Sequence, residues 1–165
     1  LLSYKDSMAI YCVRPATVCG YSPRMRLDVS VNMFVMQALS NRRITVFGGD
    51  QVRPNCHIED LVEVYLHFLN RPEIESGCYN AGFENISILD IARKVSGKIP
   101  AEIVVTESND PRSYRQSSDK LLATGFMPQF GVDRAIDDIA KRYEAGDVVD
   151  SDECYTVRWM KRLKL

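Results

Sequence analysis

Apolar positions along this chain follow two periods, one of strands and one of helices. From Met8 through Ala9, Ile10, Tyr11 and Cys12 to Val13 they run unbroken, and Arg14-Pro15 follows. Such a run predicts a buried strand of a parallel sheet, closed by Pro15, which has no amide proton to donate. Ala16 to Pro23 predicts a loop at the carboxyl end of that strand, where α/β sheets take their ligands. The period then changes. Val31, Phe34, Val35, Ala38 and Leu39 share one face of a helix over Ser30 to Leu39. Ile44 to Phe47 predicts a short strand. Ile58 to Leu69 predicts a second amphipathic helix, with Leu61, Val62, Tyr65, Leu66 and Leu69 on one side and Pro72 as its stop. Cys78 to Gly82 predicts a short strand ending in a glycine turn. Ser87, with Asp90 three residues on, predicts a capped helix start, the helix running to Val95 and ending at Gly97. Glu102 to Thr106 predicts a strand, and Leu121 to Gly125 a helical turn stopped by glycine. Val132 to Tyr143 predicts a last helix with Ala135, Ile136, Ile139 and Ala140 facing inward. No internal repeat, low-complexity tract or long linker interrupts this order, and the one weak point is Asn109-Asp110-Pro111.

The chain of 165 residues is long enough for a real core, with 45% hydrophobic and 26% charged residues. A net charge of -1 removes the field expected of a nucleic-acid or acidic-membrane binder. The basic stretch Arg158-Trp159-Met160-Lys161-Arg162-Leu163-Lys164 reads as a frayed helix end. Cysteines at 12, 19, 56, 78 and 154 form no CxxC, so reduced thiols of a cytoplasmic protein are expected. Cys12, Cys19 and Cys78 lie in strand-like runs and read as small core residues. Cys56-His57 is adjacent, not at ligand spacing, so no metal site is expected. No stretch is long and apolar enough to span a bilayer, and no signal peptide is visible. Leu1-Leu2-Ser3-Tyr4 starts without methionine and reads as the last turn of a helix already under way, an expectation that an N-terminal portion lies elsewhere.

Candidate chemistry concentrates in Val46-Phe47-Gly48-Gly49-Asp50-Gln51-Val52-Arg53-Pro54-Asn55-Cys56-His57-Ile58-Glu59-Asp60-Leu61. It reads as strand, glycine turn, lone arginine, short strand and helix start at Glu59-Asp60. An arginine just past a tight glycine turn can present its planar fork to a phosphate or carboxylate. The competing reading is a β-turn with a solvated Arg53. His57 reads as a packed strand residue and Asp60 as a structural residue at the helix start. Core packing is the local reading of Phe47.

The order of Arg14-Pro15-Ala16-Thr17-Val18-Cys19-Gly20, the helix at Ser30, Val46-Phe47-Gly48-Gly49-Asp50-Gln51-Val52-Arg53, His57-Ile58-Glu59-Asp60 and Tyr79-Asn80-Ala81-Gly82 resembles extended short-chain dehydrogenases/reductases. More narrowly it is similar to NAD-dependent nucleotide-sugar epimerases and dehydratases. The resemblance implies an α/β fold made of the C-terminal strands of a Rossmann-type parallel sheet plus a small α+β substrate-binding domain. Residues 1–29 would be the remnant of the NAD-binding domain. Residues 30–165 would form the substrate-binding region, interleaved with a sheet strand returning near 54–82. By the same resemblance Ala16, Thr17 and Val18 line the nicotinamide end of the cofactor, although many members carry asparagine where Thr17 stands. Asn32 lies near the substrate phosphates, Phe47 packs by the base, and Arg53 binds the diphosphate. Asp110-Pro111-Arg112-Ser113-Tyr114-Arg115 brings a second arginine to the same diphosphate, either Arg112 or Arg115. Against these stand surface salt bridging for the two late arginines, and a hydrogen-bonded strand end for Tyr79 and Asn80.

The family's glycine-rich phosphate loop and Tyr-x-x-x-Lys pair are not in this sequence: each tyrosine has a residue other than lysine four positions on. No catalytic residue is therefore assigned. The expectation is a C-terminal, substrate-binding half, inactive alone, with NAD bound mainly by the missing half. Its partners would be a nucleotide-sugar and a complementary N-terminal half or a second copy. A non-catalytic nucleotide-sugar binding module or an interaction scaffold is the alternative. Without the first strands, the strand at Met8 is expected to show a bare, association-prone edge.

Overall fold

The computed structural model describes residues 1–108 and 110–164, so of the weak point at Asn109-Asp110-Pro111 the first residue lies outside the described ones. Pairs of strands precede each of the first three helices, in the order β1 (Tyr11–Pro15), β2 (Thr17–Cys19), α1 (Ser30–Asn41), β3 (Arg43–Phe47), β4 (Val52–His57), α2 (Ile58–Leu69), β5 (Gly77–Ala81), β6 (Glu84–Ser87), α3 (Ile88–Lys98), and then β7 (Glu102–Thr106), α4 (Asp119–Leu122), α5 (Val132–Glu144) and α6 (Thr156–Arg162) follow. Three parallel pairs carry the architecture. β1 runs beside β5 with Cys12 opposite Cys78, β2 beside β4 with Val18 opposite Cys56, and β3 beside β7 with Thr45 opposite Val104. β6 adds to β4 antiparallel, Arg53 opposite Ile86.

Each helix forms where an apolar stripe meets a stop. In α1, Val31, Phe34, Val35 and Ala38 are buried on one face, and Arg42 closes the helix in the left-handed conformation at φ 52°. α3 starts as its sequence predicts: Ser87 Oγ accepts the Asp90 N–H at 3.1 Å and donates to the Asp90 carboxylate at 2.7 Å. α5 is capped from a distance, its Val132 N–H donating to Glu84 Oε1 on β6 at 2.5 Å. Two apolar clusters result. The larger joins α1, α3 and α5 to β3, with Ile44, Val46, Ile91, Val95, Ile136 and Ile139 sealed from solvent. The smaller gathers Cys56, Leu61, Val64, Phe68, Tyr79, Leu121 and Phe126 under α2.

Several local expectations are corrected. Ala16 to Pro23 is not all loop: Thr17–Cys19 pairs with β4, a strand of 3 residues too short to announce itself. β6 was likewise hidden between the glycine turn and the Ser87 cap. α3 runs through Gly97 to Lys98; it ends at Ile99, whose extended backbone at φ -123° is what the following Pro100 demands. The Met8 run is not a buried strand, since Met8 is exposed and pairing starts at Tyr11. Cys12 and Cys78 are half-exposed, unlike Cys19, because their sheet pair is covered on one side only. α6 carries no buried residue, in keeping with a weakly held basic end.

Candidate functional site

A cleft of about 630 Å³ opens beside the β1–β2 crossover. Pro15, the last residue of β1, stands opposite Ala81, and the next donor, Ala16 N–H, still reaches Ala81 O at 2.9 Å. The chain then crosses to β4, which sets Ala16, Thr17 and Val18 along one wall. Pro54 of β4 and the Tyr114–Gln116 stretch make the opposite wall. That stretch is clamped by polar bonds. Ser113 Oγ accepts the Val52 N–H at 3.0 Å, and Tyr114 N–H reaches Val52 O at 3.2 Å. Gln116 exchanges two bonds with Asn85, its N–H to Oδ1 at 2.9 Å and its O from Nδ2 at 3.1 Å. Ser118 Oγ bonds both the N–H and the carbonyl of Gly82 at 2.9 Å.

Arg53 is not solvated: its side chain is 15% exposed and lies against the Tyr114 ring at 5.2 Å. Its Nη1 donates to Val52 O and to Arg112 O, and its Nη2 faces the Asp110 carboxylate at 3.3 Å. Arg112 holds the same carboxylate with Nε and Nη2, each at 2.7 Å. Those side-chain bonds, with the Arg112 backbone N–H, keep the Asp110 carboxyl well below the usual carboxylate range. Two guanidinium groups thus converge on one anionic group beside the cleft, a geometry that suits a phosphate equally well. Arg115 lines the cleft itself.

Other sequence candidates fall elsewhere. Asn32 is buried, accepting the Gly20 N–H at 3.1 Å and donating to Arg26 O at 2.9 Å, so it ties two loops together. Phe47 is 59% exposed at the end of β3, which overturns core packing as its reading: among the described strands β3 has only β7 beside it. The turn after it uses Gly48 at φ 77° and Gly49 at φ 138°, conformations that side chains resist. Tyr79 and Asn80 are a hydrogen-bonded strand end, to Glu75 O at 2.5 Å and Ser117 O at 2.9 Å. Asp60 is buried and structural, its two oxygens accepting the N–H groups of Gln129 at 2.8 Å and Phe130 at 3.0 Å. His57 is buried as expected and also caps α2, its side chain accepting the Glu59 N–H, a role its sequence position did not announce. Burial pushes the thiols of Cys19 and Cys56 up to about 12, so neither is a ready nucleophile. Among the described residues no cluster of three or more His, Cys, Asp or Glu side chains could hold a metal, and no helix is long and apolar enough to cross a membrane.

Arg26, Tyr114 and Gln116 also line the cleft. Gln116 donates through Nε2 to Arg14 O at 3.0 Å, while its Oε1 is buried without a partner among the described residues. No local pattern marks a glutamine for such a place. The signal for Tyr114 was its position between two arginines.

Parallel pairs joined by helices, with a cleft at the crossover of strand ends, define a Rossmann-type α/β protein. Solved structures agree on the fold. RMD of Pseudomonas aeruginosa complexed with NADPH superposes with a TM-score of 0.73 at 19% identity, covering 88% of this chain and 52% of that one. A UDP-glucuronic acid 4-epimerase of Bacillus cereus, in complex with UDP-glucuronic acid and NAD, gives 0.66 at 24% identity over 87% of this chain and 48% of that one. The sequence profile of the NAD dependent epimerase/dehydratase family matches residues 2–82. A UDP-glucose 4-epimerase of Streptococcus mutans is 39% identical over 114 residues, 60% of this chain and 32% of that protein. Its counterpart in Halalkalibacterium halodurans is 29% identical over 144 residues, 72% of this chain and 42% of that protein. Residues 2–82 thus place this chain with the NAD dependent epimerase/dehydratase family. It spans less than half the length of these curated relatives.

Proposed function

We propose that this chain is the C-terminal, substrate-binding half of a cytoplasmic NAD-dependent nucleotide-sugar epimerase or dehydratase. The observation that carries the reading is the convergence of Arg53 and Arg112 on the Asp110 carboxylate, beside a cleft lined by Ala16, Thr17, Val18 and Arg115. A nucleoside diphosphate would take the place of that carboxylate between the guanidinium groups. Each charged hydrogen bond gained contributes roughly 1.5–3 kcal/mol before the cost of releasing Asp110. Asn32 holds the loop that shapes the phosphate end, and Phe47, exposed at a strand end, offers apolar surface to the base.

NAD fits the cleft's chemistry: the orphaned Gln116 Oε1 is an acceptor suited to an amide donor, and Ala16 and Val18 give a small apolar wall. When bound it would accept and return a hydride at a sugar carbon. Ala16, Thr17 and Val18 would hold its nicotinamide end, and the rest of its contacts would come from an N-terminal half. The parallel β1–β5 pair supports the division, with residues 1–29 completing a cofactor domain, residues 30–165 forming the substrate region, and β5 returning to the sheet. The bare apolar side of α2, with Val62, Tyr65, Leu66 and Leu69 exposed, favours a complementary half as partner.

Calorimetry with uridine, guanosine, thymidine and cytidine diphosphates tests the reading. Saturable binding of one of them, weakened tenfold or more in Arg53→Ala, is expected, about 1.4 kcal/mol or more. Binding that ignores Arg53→Ala would refute it. The chain with NAD and the matching nucleotide-sugar is expected to show no turnover, since it lacks the Tyr-x-x-x-Lys acid/base pair.

A further inference from the structure

The carboxyl ends of β2 and β4 open on a second cavity, of about 280 Å³, which shares no lining residue with the cleft above. Its floor is His57, 2% exposed. His57 Nδ1 accepts the Glu59 N–H at 3.2 Å, so the neutral ring carries its proton on Nε2. Burial holds the imidazole below its usual value against the opposing pull of Glu59 and Asp138, which favours the neutral ring. Among the described residues the Nε2–H has no partner. Asp138 Oδ2 stands 3.6 Å away, beyond a hydrogen bond, and itself accepts from Arg134 Nε at 2.9 Å. Gly20 keeps this space open: at φ +110° it adopts a conformation that side chains resist, and a Cβ there would lie 3.1 Å from Nε2.

A buried donor left unmet loses its hydration without recompense, so the arrangement rewards an acceptor. A donor and a carboxylate oxygen 3.6 Å apart suit a hydroxyl, which accepts from one and donates to the other. Arg134, Lys141 and Arg142 also line the cavity, against Glu59 and Asp138, which leaves the lining net positive. Arg134 is engaged by Asp138 and Arg142 by Asp147, whereas Lys141 is in no ion pair among the described residues. A protonated Nε2 and three cations are the wrong donor set for a metal ion. The position matches the general rule that open α/β sheets take ligands outside the carboxyl ends of their strands.

We propose that this cavity binds a small phosphorylated polyol, a hydroxyl bridging the His57 Nε2–H and Asp138 while the phosphate meets Lys141 and Arg142. The site stands apart from the nucleotide-sugar reading. His57 is too structural to substitute safely, so the test watches it directly. The chain has two histidines, and His67→Gln assigns the other in imidazole ¹H–¹⁵N spectra. Titration with glycerol 3-phosphate is expected to shift the His57 resonances saturably and leave those of His67 in place. Glycerol 3-phosphate should bind at least about tenfold more tightly than inorganic phosphate, the worth of one good hydrogen bond. Replacing the exposed pair, Lys141→Ala with Arg142→Ala, should weaken it about tenfold or more with the far-ultraviolet circular dichroism unchanged. Asp138→Asn should shrink its advantage over phosphate. No His57 shift, equal affinity for phosphate and glycerol 3-phosphate, or indifference to the double substitution would overturn the proposal.

Discussion

The two sides of this molecule bury their apolar residues to different depths. Where α1, α3 and α5 meet β3, the facing residues Val31, Val35, Ile91, Val95, Ile136 and Ile139 are all at 0% exposure. Around α2, Val64 and Phe68 are buried on one side while Val62, Tyr65, Leu66 and Leu69 stand at 42–78% exposure on the other. β1 and β5, beside it, pair only with each other among the described strands. A helix apolar on two faces belongs between two layers, and here one layer is present. The lesson is that the helical side has its full core in this chain, whereas the sheet side is shaped to be covered. The half-covered side is also the one whose strand ends lead into the cleft.

Substitutions can break this contrast. Ile136→Ala in the sealed core is expected to cost about 3–4 kcal/mol in urea unfolding, and Leu69→Ala on the bare side less than about 0.5 kcal/mol. Equal costs would remove the distinction. Asp60 ties α2 to the segment leading into α5 through two backbone N–H groups. Asp60→Ala leaves both unmet and should cost about 2–3 kcal/mol. Ser87→Ala removes the α3 cap within the complete layer, with an expected loss of about 1 kcal/mol. The smallest effect is that of pH. His57 and His67 are both held below 6.5, chiefly by burial. Below pH 6.5 the unfolded chain takes up protons that the folded chain refuses, so stability falls with pH until the folded groups titrate too. Unfolding midpoints measured between pH 7.5 and 5 should decline, with His67→Gln flattening part of the slope.

What could be read in the sequence was whatever repeats locally. The stripe Val31-Phe34-Val35-Ala38 and the pair Ser87-Asp90 announce α1 and α3 because helix partners lie three and four residues apart. β2 and β6 are silent because Thr17 finds Asn55, and Ile86 finds Arg53, only after the chain has folded. The same holds at the site. An arginine after a glycine turn marked Arg53, but nothing local shows that Asp110 would sit between it and Arg112. Gln116, reaching Arg14 across 102 residues, has no local pattern at all. Phe47 misled as a core residue because a strand-like run does not tell how many strands flank it.

The arginine pair carries the functional account, and hydrogen exchange followed by mass spectrometry addresses it most directly. Saturating uridine diphosphate, or whichever diphosphate calorimetry selects, should slow exchange in residues 52–57 and 110–118 and leave α1 and α3 as they were. Exchange unchanged in both segments while the nucleotide is bound, or protection confined to other parts of the chain, would contradict it.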